Sequence, residues 1–251
     1  MAFFFLILSG FLAGIINAIA GGGSFLTFPA LIAAGVPAVA ANATSTVALL
    51  PGTFASTFSY RRQVRDVPGL SIWALLAVSL VGGIAGSVLL LKTPERAFVA
   101  LAPWLLVFAT IIFTFGRQIS GFLKARVHIG AAAVLCMQAV IAIYGGYFGG
   151  GIGIMMLAAL SLYGLTNVNA MNAIKTMLGG TMNAIAALIF IFSSLIHWHE
   201  AIVMAIASTA GGYFGAHMAQ RINPRIVRLA VIVIACSMTA YLFIHAALSA
   251  R

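Results

Sequence analysis

The sequence predicts an all-α polytopic membrane protein, with about eight transmembrane helices in two homologous halves that each contain a glycine-broken helix. Three observations carry this prediction. The 251-residue chain is 63% hydrophobic and only 6% charged, whereas soluble domains carry about 25% charged residues. Long apolar runs alternate with short polar connections, and a spanning helix needs about 20 such residues. A glycine triplet, Gly21, Gly22 and Gly23, recurs as Gly149, Gly150 and Gly151.

The first repeat, residues 1–115, holds four predicted spans. A run of glycines is unfavourable in a helix by roughly 1 kcal/mol per residue relative to alanine, so the triplet ends the first span. A short apolar piece then precedes the turn at Gly35, and Pro51 is expected to kink the second span. The elements are residues 3–20, the short piece 24–34, 38–59, 70–91 and 98–115.

Residues 116–126 form the longest polar-leaning connection and are predicted to be the loop between the halves. The second repeat, residues 127–251, then follows the same plan, so that the whole chain forms a single membrane domain. Its elements are residues 127–149, the short piece 152–163, 170–195, 201–220 and 226–247. The apolar N-terminus lacks the basic start of a signal peptide and is interpreted as a first span.

Short polar sequences support the internal repeat. An Asn-Ala-x-x-Thr sequence follows each break, from Asn42 to Thr46 in the first half and from Asn172 to Thr176 in the second. Internal repeats, parallel or inverted, build many secondary transporters. Small residues also recur in membrane helices simply for packing, but here order and spacing are shared as well.

Charge and composition exclude several classes of protein. The formal charge of +10 arises from 13 basic and three acidic residues, with most basic residues in short clusters between apolar runs, as at membrane interfaces. Nucleic acid is therefore not an expected partner, and no catalytic constellation, cofactor or metal site is predicted. The His197–Glu200 connection is interpreted as an interfacial segment, and both cysteines as apolar core residues.

The broken helices and their polar neighbours are similar to those of the sulfite exporter TauE/SafE family of bacterial membrane proteins. The similarity rests on the first break with Asn17 and Pro29 around it, the polar segment after it and its echo in the second half. It covers essentially the whole chain. The resemblance implies a multi-pass protein of the cell inner membrane that moves sulfite, sulfonates and related small anions.

A helix that restarts after a break exposes backbone N–H groups at its positive end, which favours an anion. Ser24 and Ile152 are the predicted first residues of these half-helices, and two such ends are expected to converge on one substrate. Glycine-mediated helix packing is the alternative. The candidate substrate-binding residues are Asn17, Gly21, Gly22, Gly23, Ser24, Asn42, Thr44, Ser45, Thr46, Gly149, Gly150, Gly151, Asn172, Lys175 and Thr176.

Lys175 is the most specific of these candidates, because a charge inside a span is unfavourable by about 2.5–3.5 kcal/mol and usually marks function. None of the three acids lies in a predicted span, so a substrate anion is the expected partner; a lysine that reaches the interface is the alternative. Thr181 and Asn183 are weaker candidates, since each stands away from the breaks.

The predicted function is export of a small anion down its own gradient and the membrane potential. The alternatives are an ion-coupled importer of a small anion or sulfur compound, an anion channel, and a membrane subunit that transports nothing. The lipid bilayer and the anion are the expected partners, and a homo-oligomer stays possible. The orientation is open, because eight full crossings place the basic cluster at 221–228 opposite the other clusters. Half-crossings by the short pieces after each triplet are the alternative, and they would change the count of crossings.

Overall fold

The computed structural model describes residues 2–19, 21–63, 67, 69–124 and 129–218, with single positions between 229 and 243. In these residues the protein is helical and contains no β-strand, which confirms the all-α prediction. The helices of this part of the chain are α1 Ala2–Ile19, α2 Ser24–Ala33, α3 Ala38–Tyr60, α4 Ile72–Lys92, α5 Glu95–Lys124, α6 Ala131–Tyr147, α7 Ile152–Leu162, α8 Val168–Ile191 and α9 Trp198–Met218.

The helix boundaries agree with the predicted breaks. The short helices α2 and α7 begin at Ser24 and Ile152, the positions at which the sequence analysis restarts each helix. By length and composition, α4, the 95–116 part of α5, and α8 are long and apolar enough to cross a membrane. The last predicted span, 226–247, and the segment 221–225 fall outside the continuously described residues, so the number of spans stays a prediction.

The predicted loop between the halves is wrong in one respect. Residues 116–124 continue α5 as helix, so the helix ends at Lys124 and not at Phe115. Gly116 and Gly121 each weaken a helix by about 1 kcal/mol relative to alanine, but they stand alone among long side chains. An isolated glycine does not end a helix as the triplets do.

Two pairs of helices cross at very close range on a Gly-Gly-x-x-Gly sequence that the sequence analysis did not recognise. In α4 this sequence is Gly82–Gly86, and a Cβ at Gly86 would press on Ile143 O in α6. In α9 it is Gly211–Gly215, and a Cβ at Gly211 would press on Phe11 O in α1. Small residues let membrane helices approach until their backbones touch. Each half therefore packs against the first helix of the other half, since α4 contacts α6 and α9 contacts α1.

The two longest central helices, α3 and α8, run antiparallel. Thr57 Oγ1, near the end of α3, donates to Thr176 O near the start of α8 at 3.1 Å. At the opposite end, His197 N, beyond the end of α8, donates to Thr44 Oγ1 near the start of α3 at 3.1 Å. These two contacts show that α3 and α8 run in opposite directions along their whole length.

The N-termini of α3 and α8 are satisfied in different ways. Pro37 precedes α3 and its side chain caps nothing, so Glu95 from the start of α5 accepts from Ala38 N and Val39 N instead. A carboxylate is also favourable at the positive end of a helix dipole. Asn167 caps α8 locally, with its Oδ1 accepting from two backbone amides. One of the three acids is thus committed to a helix end, far from the breaks in sequence.

The α4–α6 crossing predicts the effect of a single methyl group. We expect Gly86→Ala to lower the free energy of unfolding by roughly 1–3 kcal/mol, because an inserted carbon forces packed backbones apart. Thermal unfolding of the purified protein in detergent measures the change. Gly121→Ala is the matched control, since a Cβ there meets nothing within 4 Å and alanine favours the helix. Equal melting temperatures for the two variants would contradict the tight crossing.

Candidate functional site

The two glycine breaks meet at the centre of the protein. Gly21 adopts φ +75°, and a Cβ on it would lie 2.5 Å from the Cα of Gly153 in the first turn of α7. The amide of Gly153 donates to Gly21 O at 3.4 Å. Gly151, which precedes α7, is also left-handed, with φ +76°. Positive φ and direct backbone contact both require glycine, so one break is built against the other.

A small cavity lies beside this contact, between the end of α1, the start of α7, and α3 and α8. Its volume is about 20 Å³, whereas a water molecule needs roughly 10–15 Å³. This conformation therefore has room for water and must open to admit a larger ligand. The cavity is lined by Asn17, Gly21, Thr53, Ser56, Ile152, Gly153, Met156, Lys175, Thr176, Gly179 and Asn183.

Lys175 brings the charge into this cavity. The residue is only 3% exposed, and its Nζ donates to Ala18 O, in the last turn of α1, at 3.3 Å. The carbonyl end of a helix carries partial negative charge, so this contact is favourable. Within the described residues the only pair at ion-pair distance is His197 with Glu200, at 4.0 Å. Lys175 is thus held by a helix end and by no carboxylate of the described chain.

The hydroxyl groups that line the cavity donate their hydrogen bonds to backbone carbonyls of the protein. Thr53 Oγ1 donates to Leu49 O at 2.9 Å, and Ser56 Oγ donates to Gly52 O at 2.9 Å. Thr176 Oγ1 lies 3.0 Å from the carbonyls of the preceding turn. An anion needs donors, so in this conformation the hydroxyl oxygens are poorly matched to it, and Lys175 is the strongest donor.

Amide side chains supply further donors. Asn17 Nδ2 donates to Thr53 Oγ1 at 2.9 Å, which uses one of its two N–H groups and ties the end of α1 to α3. Asn183 lines the cavity from α8. Lys175, Gly179 and Asn183 are four residues apart, so they share one face of α8. This face of α8 therefore lines the cavity with an ammonium group, a glycine and an amide side chain.

Four of the predicted site residues line this cavity: Asn17, Gly21, Lys175 and Thr176. The others do not. Ser24, the first residue of α2, is outside the lining, so of the two half-helices only α7 brings its N-terminal end to the cavity. The expected convergence of two positive helix ends is absent from the described cavity.

Several remaining candidates are engaged in contacts between helices. Asn42 Nδ2 donates to Tyr147 O at 2.8 Å, whereas Thr46 Oγ1 donates within α3, to Asn42 O, at 3.0 Å. Ser45 Oγ lies 2.5 Å from Thr27 Oγ1. These bonds satisfy buried polar groups, as interhelical contacts usually do in membranes. Asn172 differs, since its Oδ1 is buried without a partner.

The cavity lining also contains Thr53, Ser56, Gly153, Met156 and Gly179, which the sequence analysis did not select, together with Ile152 and Asn183, which it named only as a half-helix start and as a weaker candidate. The four-residue spacing from Lys175 is the signal that identifies Gly179 and Asn183. A Cβ on Gly179 would meet nothing within 4 Å, so this glycine keeps space open and is not required for helix packing. Thr53 and Ser56 come to the cavity through the α3–α8 crossing, which no local pattern reveals.

Comparison with known proteins gives a consistent result. The model of the sulfite exporter TauE/SafE family matches residues 6–242. A probable membrane transporter protein of Haemophilus influenzae is 28% identical over 92% of this chain and 90% of its own length. The probable membrane transporter protein YfcA of Escherichia coli is 28% identical over 92% and 86%. No solved structure matches the chain.

Burial of an uncompensated ammonium predicts a stability effect. Lys175→Met keeps an unbranched side chain of similar length and removes its charge, so we expect the free energy of unfolding of the ligand-free protein to rise by roughly 1–3 kcal/mol, with a higher melting temperature. Thermal unfolding in detergent without added anions measures it. Lys92→Met, at an exposed position, should leave the melting temperature unchanged. A lower melting temperature for Lys175→Met would mean that the bond to Ala18 O is structural.

Proposed function

The chain belongs to the sulfite exporter TauE/SafE family of membrane transporters, and from this premise we propose that it exports small sulfur-containing or organic anions such as sulfite or sulfonates. The observation that supports an anionic substrate is Lys175. A buried lysine beside a cavity, with no carboxylate paired to it in the described chain, can form an ion pair with a bound anionic ligand.

The proposed binding site is the Lys175 cavity. The Lys175 ammonium and the amides of Asn17 and Asn183 supply the donors, and the first turn of α7 adds the positive end of a helix. A single full charge surrounded by neutral donors suits a ligand that must bind and then leave, because several full charges would retain it. An arriving anion displaces the bond between Lys175 Nζ and Ala18 O. This loosens the end of α1 as the ligand binds.

The proposed driving force is the membrane potential together with the anion gradient. The three acids of the chain are Asp66, Glu95 and Glu200, and none lies in a predicted span. Proton-coupled transporters commonly use a membrane-embedded acid or histidine. A cytoplasm that is negative by 100 mV pushes each negative charge outward with about 2.3 kcal/mol, and this is sufficient for efflux without a coupled ion.

Flux measurements in liposomes test the function. Protein reconstituted in liposomes should move sulfite or methanesulfonate under an imposed potassium diffusion potential, with no pH or sodium gradient. Lys175→Met should reduce this flux about 10- to 100-fold, the effect of losing a hydrogen bond to a charged group, while Lys92→Met retains it. Strict dependence on a proton or sodium gradient would identify the ion-coupled importer instead, and flux without saturation or counterflow would identify a channel.

The open space at Gly179 gives a steric test of the site. Gly179→Ala places a methyl group in the cavity without a clash, so we expect roughly tenfold weaker methanesulfonate binding, about 1.4 kcal/mol, in a protein at least as stable as the wild type. Gly180→Ala is the matched control, since Gly180 does not line the cavity and its Cβ would make ordinary contacts of 3.7–3.9 Å. Isothermal titration of both variants measures the difference. Equal affinities would remove Gly179 from the site.

A further inference from the structure

We infer that α1–α2 and α6–α7 are hairpins that enter the membrane from opposite faces and return to them, and that the Lys175 cavity lies in the cytoplasmic half of the anion pathway. The arrangement of the hairpins rests on backbone geometry alone. The role given to the cavity rests on the proposed function. Four observations lead to this inference.

The first hairpin begins and ends at one face. Asn17 of α1 donates a hydrogen bond to Thr53 of α3. Each of these residues comes 15 positions after the first residue of its helix, so equal lengths of α1 and α3 precede the contact. Because α1 and α3 both run alongside α9 in the same direction, their first residues lie at the same face. A Cβ on Gly23 would lie 2.8 Å from Ala13 O and 3.2 Å from Leu49. The chain has therefore turned back at the break, and α2 returns to the face where α1 began.

The second hairpin does the same from the other face. In α4 and α6, Ser79 accepts from Gln138 at 2.8 Å, and Gly86 packs against Gly146 further along both helices. These helices are parallel, so α6 begins at the face where α4 begins. A Cβ on Gly69, just before α4, would lie 2.9 Å from Tyr163 Oη, just after α7. The pair α6–α7 thus starts and ends at that face, opposite the first hairpin.

Charge then identifies the two faces. In the described part of the chain, α3, α4, α5, α8 and α9 are the full crossings under this arrangement. The face where α3 ends receives Arg61 and Arg62, which follow α3, and the end of α5 with Arg117 and Lys124. In the sequence, Arg65 also follows α3, Arg126 follows α5, and Arg221, Arg225 and Arg228 follow α9. The opposite face receives Lys92 and Arg96. Cytoplasmic segments carry the excess of lysine and arginine, so α3 ends in the cytoplasm.

This assignment removes the charge conflict of eight full crossings. Counting α1–α2 and α6–α7 as spans places the cluster at 221–228 opposite the other two clusters. Counting them as hairpins places all three clusters on one face. The two topologies make opposite statements about the loops around Thr166 and Ser194, which flank α8.

The cavity lies on the cytoplasmic side of the centre. Lys175 is seven residues after the first residue of α8, or about 10 Å by the helical rise, and α8 starts at the face where α3 ends. On the opposite side of the centre, corresponding positions of the first repeat are filled by buried side chains. Phe25 and Phe28 of α2 are each 1% exposed, and Phe28 packs edge-to-face on Phe98 and Phe148. These packed aromatic side chains close the path from the centre to the outer face.

Cysteine labelling tests the inference on the full protein. In a Cys136→Ala and Cys236→Ala background, single cysteines replace Ala34, Thr166, Ser194 or Gly179. The first three positions are exposed and lie in loops. The probe is 2-sulfonatoethyl methanethiosulfonate, a thiol reagent that does not cross membranes. It is applied to intact cells and to inverted membrane vesicles.

We expect Ala34→Cys and Ser194→Cys to react in intact cells, and Thr166→Cys and Gly179→Cys to react only in inverted vesicles. Gly180→Cys, outside the cavity, should stay unreacted. Pairing of Ala34 with Thr166 on one side, and Ser194 on the other, would establish eight crossings and overturn the hairpins. Reaction of Gly179→Cys in intact cells would overturn the cytoplasmic placement of the cavity. Either result is independent of the flux assay, since a protein with this labelling pattern and no anion flux would refute the proposed function alone.

Discussion

The architecture depends on one constraint, which is that broken helices in a bilayer must have their backbone groups satisfied by protein. Lipid offers no hydrogen bond, and each unsatisfied group is unfavourable by several kcal/mol. Here each break is covered by the other, through the amide of Gly153 and the carbonyl of Gly21. This contact needs two glycines, one with a left-handed backbone and one without a side chain in the way. Each break therefore depends on the other, and the cavity forms where the tips of the two hairpins meet.

The two halves use this shared centre unequally. Where the second half has Lys175, the corresponding residue of the first half is Ser45, which bonds to Thr27 inside the protein. Where the second half opens with Ile152 and Gly153, the first half has Ser24 and the buried ring of Phe25. One side of the centre is thus polar and contains a small cavity, and the other is filled by aromatic side chains.

Much of the fold was predictable from the sequence, because its strongest signals are local. Apolar length, the triplets and the turn at Gly35 locate the described helices to within a few residues, apart from the end of α5. Lys175 was also recognisable, since a charge in a span is rare enough to stand out. The rest depends on which helices meet. Neither the lining by Thr53 and Ser56 nor the hydrogen-bond roles of Asn42 and Ser45 follows from spacing along one helix. Half-crossings at the breaks stayed one of two alternatives in the sequence, because hydropathy records length and not direction.

The close crossings of α1 with α9 and of α4 with α6 have a consequence for how the protein is made. Helix α1 packs most closely on α9, almost two hundred residues later in the chain. Until that partner emerges, the glycine faces of α1 have no backbone to pack on, and the first break has no second break to cover it. The first half therefore stays incompletely packed while the second half is synthesised, and synthesis proceeds at roughly 5–20 residues per second. Neither half covers its own break or its own close helix crossing, so the two halves depend on each other to fold.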